Sequence, residues 1–169
     1  MISRFNPRLV VITTIAAISM LTAAPNSLAS SQLGHIGAWT AKMGGGSPSK
    51  KFCVMKETFR DGGVFGFRFD HSGAHMYAYK PHWNLAGKGS HLQMILHVDG
   101  VDYSHPARIA TQSLIKTDVI DWKGFRVLVH SQRAQLRIMF ARPVTWTLNL
   151  TGARQVAEIV DRCVHQQGI

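Results

Sequence analysis

Apolar and polar residues alternate through the middle of the chain, a pattern that predicts β-strands. In the clearest run, Phe65, Phe67 and Phe69 alternate with small or charged residues, which indicates a half-buried strand. The sequence His71-Ser72-Gly73 predicts a turn, and residues 74–80 predict the returning strand. Residues 64–80 are therefore predicted to form a β-hairpin.

The period of two recurs toward the carboxyl end. Residues 91–99 place Leu92, Met94, Leu96 and Val98 on one face, ahead of a turn at Asp99-Gly100. Further short strands are predicted at residues 38–41, 52–58, 101–103, 107–116, 125–130, 136–140 and 144–150. Residues 30–37 are predicted to be a frayed lead-in, residues 44–49 a flexible loop and residues 131–135 a helical turn.

One helix is predicted, at the end of the chain. Thr151 is its predicted N-cap, and Val156, Ile159, Val160 and Cys163 follow helical spacing on one face. Many short strands followed by one helix predict a mainly β fold. We expect an antiparallel β-sandwich or barrel-like sheet with one C-terminal α-helix packed on it.

The amino end has the composition of a secretory signal peptide. Arg4 and Arg8 precede a mostly apolar run over residues 9–24. Ser27-Leu28-Ala29 then places small residues at the recognition positions before a predicted cleavage site. An uncleaved membrane anchor is the alternative, but the run is shorter than the roughly 20 apolar residues that a spanning helix needs. The sequence predicts a signal peptide over residues 1–29, one β-rich domain over residues 30–169, and a periplasmic or secreted location.

The charge balance is strongly basic, with 19 Lys and Arg against 9 Asp and Glu. Loss of Arg4 and Arg8 with the signal peptide would leave the chain basic. Such a protein is drawn to anionic partners, such as acidic lipid, polysaccharide or nucleic acid of an envelope or host. The alternative is that scattered positive charge only maintains solubility. The oligomeric state stays open.

Cys53 and Cys163 are the chain's 2 cysteines. In an oxidising compartment an isolated pair predicts a disulfide, here between a strand and the terminal helix. Free thiols are the alternative. No Cys-x-x-Cys redox motif is present.

The chain contains 9 histidines. His71 and His75 have a spacing typical of metal ligands on a helix, and His82 follows, but the first two fall in a predicted hairpin. We predict no metal or cofactor and treat these three as a weak candidate site. The histidines also permit a His-dependent hydrolase acting on a phosphate or glycan, provided that they converge.

A candidate binding surface follows the first hairpin. Tyr77 and Tyr79 share a face, and Trp83 lies close to basic residues in the sequence. These rings could stack on a sugar or nucleobase, or could be core residues. The complete candidate set is Tyr77, Tyr79, Lys80, His82, Trp83 and Lys88.

Several short segments together suggest a family. They are Gly37-Ala38-Trp39-Thr40, the strand Phe52-Cys53-Val54-Met55, Pro81-His82-Trp83-Asn84-Leu85, Val98-Asp99-Gly100 and Leu150-Thr151-Gly152. In these the chain resembles small exported bacterial proteins of the invasion-associated locus B type. It departs from them in having Met43 where a cysteine usually follows the tryptophan, in lacking a mid-chain cysteine pair, and in its terminal helix with Cys163.

The resemblance implies an exported, non-enzymatic β protein linked to the cell envelope or to host contact, and it carries no catalytic residue. We therefore expect function by binding, with the His-dependent hydrolase as the alternative.

Overall fold

The structure, a computed structural model, describes residues 30–87, 90–140 and 142–169. The predicted signal peptide, residues 1–29, lies outside the described residues. The strands are β1 (Ser31–Ile36), β2 (Trp39–Gly44), β3 (Phe52–Thr58), β4 (Val64–Asp70), β5 (Gly73–Tyr79), β6 (His91–Val98), β7 (Val101–Thr111), β8 (Leu114–Thr117), β9 (Ala134–Met139) and β10 (Val144–Leu148). The helices are α1 (Trp122–Val129) and α2 (Ala153–Gln167), and a short 3₁₀ turn covers Pro48–Lys50.

All ten strands form a single antiparallel sheet in the order β1-β2-β3-β4-β5-β8-β7-β6-β9-β10. The first five strands pair in sequence. The pairing of β5 with β8 then joins them to the second half of the chain, in which β8, β7 and β6 follow in reverse order before β9 and β10 complete the sheet. Non-consecutive strands are therefore neighbours at two places, β5 with β8 and β6 with β9.

The sheet curls around its core until its two ends meet at one corner. The indole Nε1 of Trp39, at the start of β2, donates a hydrogen bond to the Asn149 carbonyl at 2.6 Å, just beyond β10. The Ala38 amide donates to the Thr151 carbonyl at 3.1 Å. These two bonds join the start of β2 to the segment that follows β10, as in a barrel-like sheet.

The core lies inside this curve and is rich in aromatic rings. Phe65, Phe67 and Phe69 of β4 all point inward, as their alternation predicts. Phe125 of α1 packs edge-on against Phe67 and Phe69, with ring centroids 5.0 and 5.1 Å away. The apolar stripe of α2 covers β1, β2 and β3, with Val156, Val160 and Cys163 buried.

The predicted fold class is confirmed, because the sheet is antiparallel and α2 packs on it. The prediction of one helix is wrong, since α1 occupies residues predicted as a strand. The Asp121 carboxylate caps α1 by accepting the Gly124 amide at 3.2 Å, and Phe125, Leu128 and Val129 bury its apolar side. Residues 131–135 form no helical turn, because β9 begins at Ala134.

Two predictions at element ends are also corrected. The expected lead-in over residues 30–37 contains β1, which pairs with β2 along its length. The N-cap of α2 is Gly152, in a left-handed conformation with φ 84°, and not Thr151. Within the described ranges, neither helix has the length and apolar character required to span a bilayer.

Candidate functional site

A row of basic side chains crosses the outer face of the sheet, the face opposite the core. Because side chains alternate along each strand, residues in register across neighbouring strands point to the same side. The register places in line, from β3 through β4, β5 and β8 to β7, Lys56, Gly66, Tyr77, Lys116 and Arg108. We call these five positions the basic row.

The positive charge of this face is poorly neutralised. Lys42, Lys56 and Lys116 form no ion pair within the described ranges, and Arg108 contacts Asp118 only at 3.6 Å. Burial, and secondly the charge of neighbouring Lys42, lowers the pKa of Lys56. An anion bound here would relieve this repulsion between like charges.

An apolar groove of about 270 Å³ adjoins the basic row. Val54, only 8% exposed although it points outward, forms its floor, and Phe52, Tyr77 and Leu114 line it. The Tyr77 ring lies across Gly66, where an added Cβ would come within 2.8 Å of the tyrosine Cζ. A glycine at position 66 therefore lets the ring lie flat on the sheet.

A cationic pocket of about 620 Å³ lies next to this groove. Lys50 and Lys51 line it, and it shares Phe52 and Arg68 with the groove. The Arg68 guanidinium carbon lies 3.8 Å from the centre of the Phe52 ring, and its Nε donates to an Asp70 oxygen at 2.8 Å. We call the groove and this pocket together the trough.

Asp70 holds Arg68 in this position. Burial acts to raise the pKa of Asp70, but hydrogen bonds from Ser72 and Arg68 outweigh it and lower that pKa to about 2. The carboxylate is therefore ionised at neutral pH and remains an acceptor for the guanidinium.

The structure splits the predicted aromatic surface into two parts. Tyr77 and Tyr79 share the outer face, where Tyr77 is half-buried and Tyr79 is 38% exposed. Burial raises the pKa of Tyr77 above its usual value, so its phenol is neutral. Tyr77 lies beside Lys116 of the neighbouring strand β8, whereas Tyr79 is in register with Val64 and Leu114.

The remaining members of that set lie elsewhere. Trp83 packs on Trp146, with parallel rings whose centroids are 5.6 Å apart. Lys80 forms an ion pair of 2.7 Å at the β3–β4 turn, and His82 lies in an exposed turn. Lys88 falls outside the described residues.

The weak metal candidate is not assembled. A ring nitrogen of His71 lies 3.0 Å from the Pro48 carbonyl oxygen, and one of His75 lies 3.3 Å from the Thr117 carbonyl oxygen. His82 is exposed and apart from both contacts. Across residues 30–87, 90–140 and 142–169, no three His, Cys, Asp or Glu side chains are grouped to hold a metal ion.

Histidine also lines a wide cavity of about 820 Å³ on another part of the surface. His97 and His130 both border it, and His97 Nδ1 contacts the Asp102 carboxylate at 2.5 Å. In the portion of the chain that the structure describes, no hydroxyl or thiol hydrogen-bonds to either ring. Among the described residues, this cavity therefore has no nucleophile–base pair of the kind that many hydrolases use, and the hydroxyl–imidazole contacts of Ser72 with His75 and of Thr40 with His35, both 2.9 Å, lie outside it.

The two cysteines meet as the sequence predicts. Cys53, on the core side of β3, is bonded to Cys163 on the apolar stripe of α2, with Cα atoms 6.1 Å apart. That separation lies within the range of about 4.4–6.8 Å that a disulfide requires. The bond fixes the helix to the strand whose outer side chains line the trough.

A buried carboxylate fastens the closing corner of the sheet. Glu57 is 5% exposed, and both of its oxygens lie 3.2 Å from the Asn149 amide nitrogen, which donates to them. Trp39 donates to the carbonyl of the same residue. Burial raises the pKa of Glu57 to about 7, against the opposing effect of the Asn149 hydrogen bond.

The sequence analysis missed most residues of the trough. Alternation with the inward phenylalanines already places Arg68 on the outer face, and Lys116 is likewise out of phase with buried Ile115. The alternation does not reveal which strands are neighbours. The pairing of β5 with β8, which brings Tyr77 beside Lys116, has no local signal in the sequence.

Neither a protein-family model nor a curated protein matches the chain. Among solved structures, the crystal structure of invasion-associated protein B from Bartonella henselae has a similar fold, with a TM-score of 0.51. The match covers 80% of this chain and 98% of that one, at 15% sequence identity. It supports the weak family resemblance seen in the sequence, and at this identity it shows the fold alone.

Proposed function

We propose that this chain is an exported bacterial protein that works without catalysis, by binding an anionic component of the cell envelope or of a host surface. The basic row is the observation that carries the proposal. It gathers cations from separate strands onto one face, and both of its lysines, Lys56 and Lys116, have no acidic partner in the described ranges. A periplasmic or secreted site of action agrees with the amino-terminal composition and with the disulfide.

The fold similarity adds a second line of support. The Bartonella protein is described as invasion-associated, and this chain shares its fold over nearly the whole of that protein. A role in envelope or host contact is consistent with that description. The basic row supplies a physical means of contact, because bacterial envelopes and host surfaces both carry anionic groups.

The proposal is tested by removing charge from the outer face. We expect the chain from residue 30 onward to bind phosphatidylglycerol vesicles or immobilised heparin, with affinity that falls as salt rises. The double substitution Lys56→Ser with Lys116→Ser should weaken this binding about 30-fold, at about 1 kcal/mol for each lysine near an anionic surface. Vesicle cosedimentation and salt-gradient elution measure the change.

The matched control removes the same charge from the helical side. Lys123 in α1 and Arg162 in α2 are both exposed, so Lys123→Ser with Arg162→Ser should leave binding nearly unchanged. An equal loss in the two double variants would attribute binding to net charge alone. That result, or retention that does not respond to salt, would contradict a role for the outer face.

A further inference from the structure

We propose that the trough binds one molecule of an anionic amphiphile, with its phosphate or carboxylate head in the cationic pocket and its apolar part in the groove. This inference rests on the proposed function, since it names the ligand class for the same face. It starts from an apolar groove and a cationic pocket that lie side by side and share Phe52 and Arg68 in their linings.

The groove is recessed rather than flat. Phe52 and Tyr77 lie on the sheet on either side of Val54, which stays 8% exposed although it faces outward. The Tyr77 ring reaches this position because Gly66 has no side chain beneath it. An apolar chain or ring placed between the two aromatic rings would cover surface that is otherwise in contact with water.

The cationic pocket, where the head group would bind, offers N–H donors that are not used within the described residues. Arg68 donates to Asp70 through Nε, and within the described residues its two terminal nitrogens donate no hydrogen bond. Its side chain is 40% exposed. A guanidinium held by its own carboxylate and a phenyl ring presents its terminal N–H groups in the fork that matches phosphate or carboxylate oxygens.

The charges around the pocket fit a single anionic group. Lys50 and Lys51 line it beside Arg68, and Asp70 is its one carboxylate. That carboxylate is already occupied by Arg68 and Ser72, so the two lysines remain as excess positive charge. Lys116 adds a further cation at the far side of the groove.

Shape favours one amphiphile over a polymer or a bilayer. The groove, at about 270 Å³, is close to the lower limit of about 300 Å³ for small-molecule sites. A polyanionic chain would leave the apolar lining unused, and the flat surface of a bilayer would not reach Val54 between its flanking rings.

Dodecyl phosphate, kept below its micelle concentration, is the probe. Calorimetry should show that it binds at least tenfold more tightly than inorganic phosphate or the neutral dodecyl maltoside, because each of those lacks one half of the interaction. Leu114→Asn should weaken dodecyl phosphate about tenfold. Lys50→Ser with Lys51→Ser should weaken dodecyl phosphate to a similar degree and leave dodecyl maltoside unchanged.

Two control variants separate the trough from the rest of the molecule. Ile95 lies on the same outer face but on β6, away from the trough, so Ile95→Asn should bind dodecyl phosphate like the parent chain. Lys123→Ser with Arg162→Ser serves as the charge control. Amide NMR shifts on dodecyl phosphate addition should be largest at Val54 and Tyr77 in the parent chain.

Several results would overturn the inference. Equal affinity for inorganic and dodecyl phosphate would make the trough a simple anion site, and equal affinity for dodecyl maltoside would make it a purely apolar one. If vesicle or heparin binding persists but dodecyl phosphate does not bind, the proposed function stands and this inference falls. If Leu114→Asn weakens vesicle binding but not dodecyl phosphate binding, the occupant is a membrane and the inference is again wrong.

Discussion

At the scale of single residues, Glu57 has the most unusual environment among the acidic groups described. Its carboxyl group is buried on the core side of β3 and accepts hydrogen bonds from only one backbone amide. One such bond does not replace the water that a carboxylate loses, so burial raises its pKa to about 7 from an ordinary value near 4.5. The folded chain therefore holds a proton on Glu57 that the unfolded chain has already released at mildly acidic pH.

This difference predicts how stability changes with pH. Between about pH 4.5 and about pH 7 the folded state binds more protons at this site than the unfolded state, so the contribution of Glu57 to stability falls as pH rises. The loss reaches roughly 3 kcal/mol at most, at 1.36 kcal/mol per pKa unit. Glu57→Gln should remove most of this slope in denaturant unfolding measured at about pH 5 and about pH 8. The exposed Glu158→Gln should retain it, and parallel slopes for the two variants would contradict the assignment to Glu57.

At the scale of elements, the β1–β2 turn and the start of α2 fit against each other through two glycines. Gly37 has φ +60° and Gly152 has φ +84°, both in the left-handed region. A Cβ on Gly37 would overlap the Thr151 carbonyl, and one on Gly152 would overlap the Ile36 carbonyl. The close approach lets the Ala38 amide reach Thr151, so it helps to hold the closing corner of the sheet.

Gly37→Ala is therefore expected to be costly. The left-handed conformation costs an alanine about 1–2 kcal/mol, and overpacking against backbone adds about 1–3 kcal/mol. We expect a loss of about 3 kcal/mol in the free energy of unfolding. Gly168 has a similar φ of +68° with nothing within 4 Å of an added Cβ, so Gly168→Ala should lose only about 1 kcal/mol. If chemical denaturation gave equal losses of unfolding free energy for Gly37→Ala and Gly168→Ala, the overlap with Thr151 would not contribute to the cost at Gly37.

How far the sequence predicts the elements depends on where their stability comes from. Residues 52–58, 64–80 and 91–98 carry their own alternation and turn residues, and the structure has strands there. In contrast, β1 is mostly polar and exposed, and it becomes a strand because β2 offers it a pairing edge. In α1, Phe125, Leu128 and Val129 also have helical spacing, but the β-branched and aromatic content of residues 125–130 favoured a strand.

The candidate site was less predictable than the fold for a related reason. Tyr77 and Tyr79 share a face as their parity predicts, whereas Trp83 is taken up by stacking on Trp146. The trough draws residues from β3, β4, β5, β8 and the turn at Lys50 and Lys51. Tyr77 and Leu114 are far apart in the sequence but lie on the paired strands β5 and β8. A site built from several strands depends on which strands are neighbours in the sheet. The local pattern of a single sequence does not show that order.

At the scale of the whole molecule, the fold is held by contacts between distant parts of the chain. The disulfide joins residues 110 positions apart, and β2 and β3 bind the segment that follows β10. Both links cross between the beginning and the end of the described chain. Unfolding should therefore be cooperative, with the sheet and α2 losing structure together.

Removal of the disulfide tests this link. For a closed loop of about 100 residues the chain-entropy model assigns about 4.7 kcal/mol, and native bridges in small secreted domains contribute about 2–5 kcal/mol. Cys53→Ala with Cys163→Ala should lower the free energy of unfolding by about 3–5 kcal/mol, and chemical reduction of the parent chain should have a comparable effect. The same unfolding midpoint for the oxidised parent and the double variant would contradict a structural role for the bond.

The position of Cys163 near the end of α2 also bears on the order of events during maturation. If the chain is exported as proposed above and its amino end crosses the membrane first, Cys53 reaches the oxidising side 110 positions ahead of its partner. Until the last helix emerges, the first thiol is open to capture by thiol oxidoreductases or other chains. In that case the disulfide closes only after residue 163 has crossed, and a chain truncated before that residue would keep Cys53 as a free thiol.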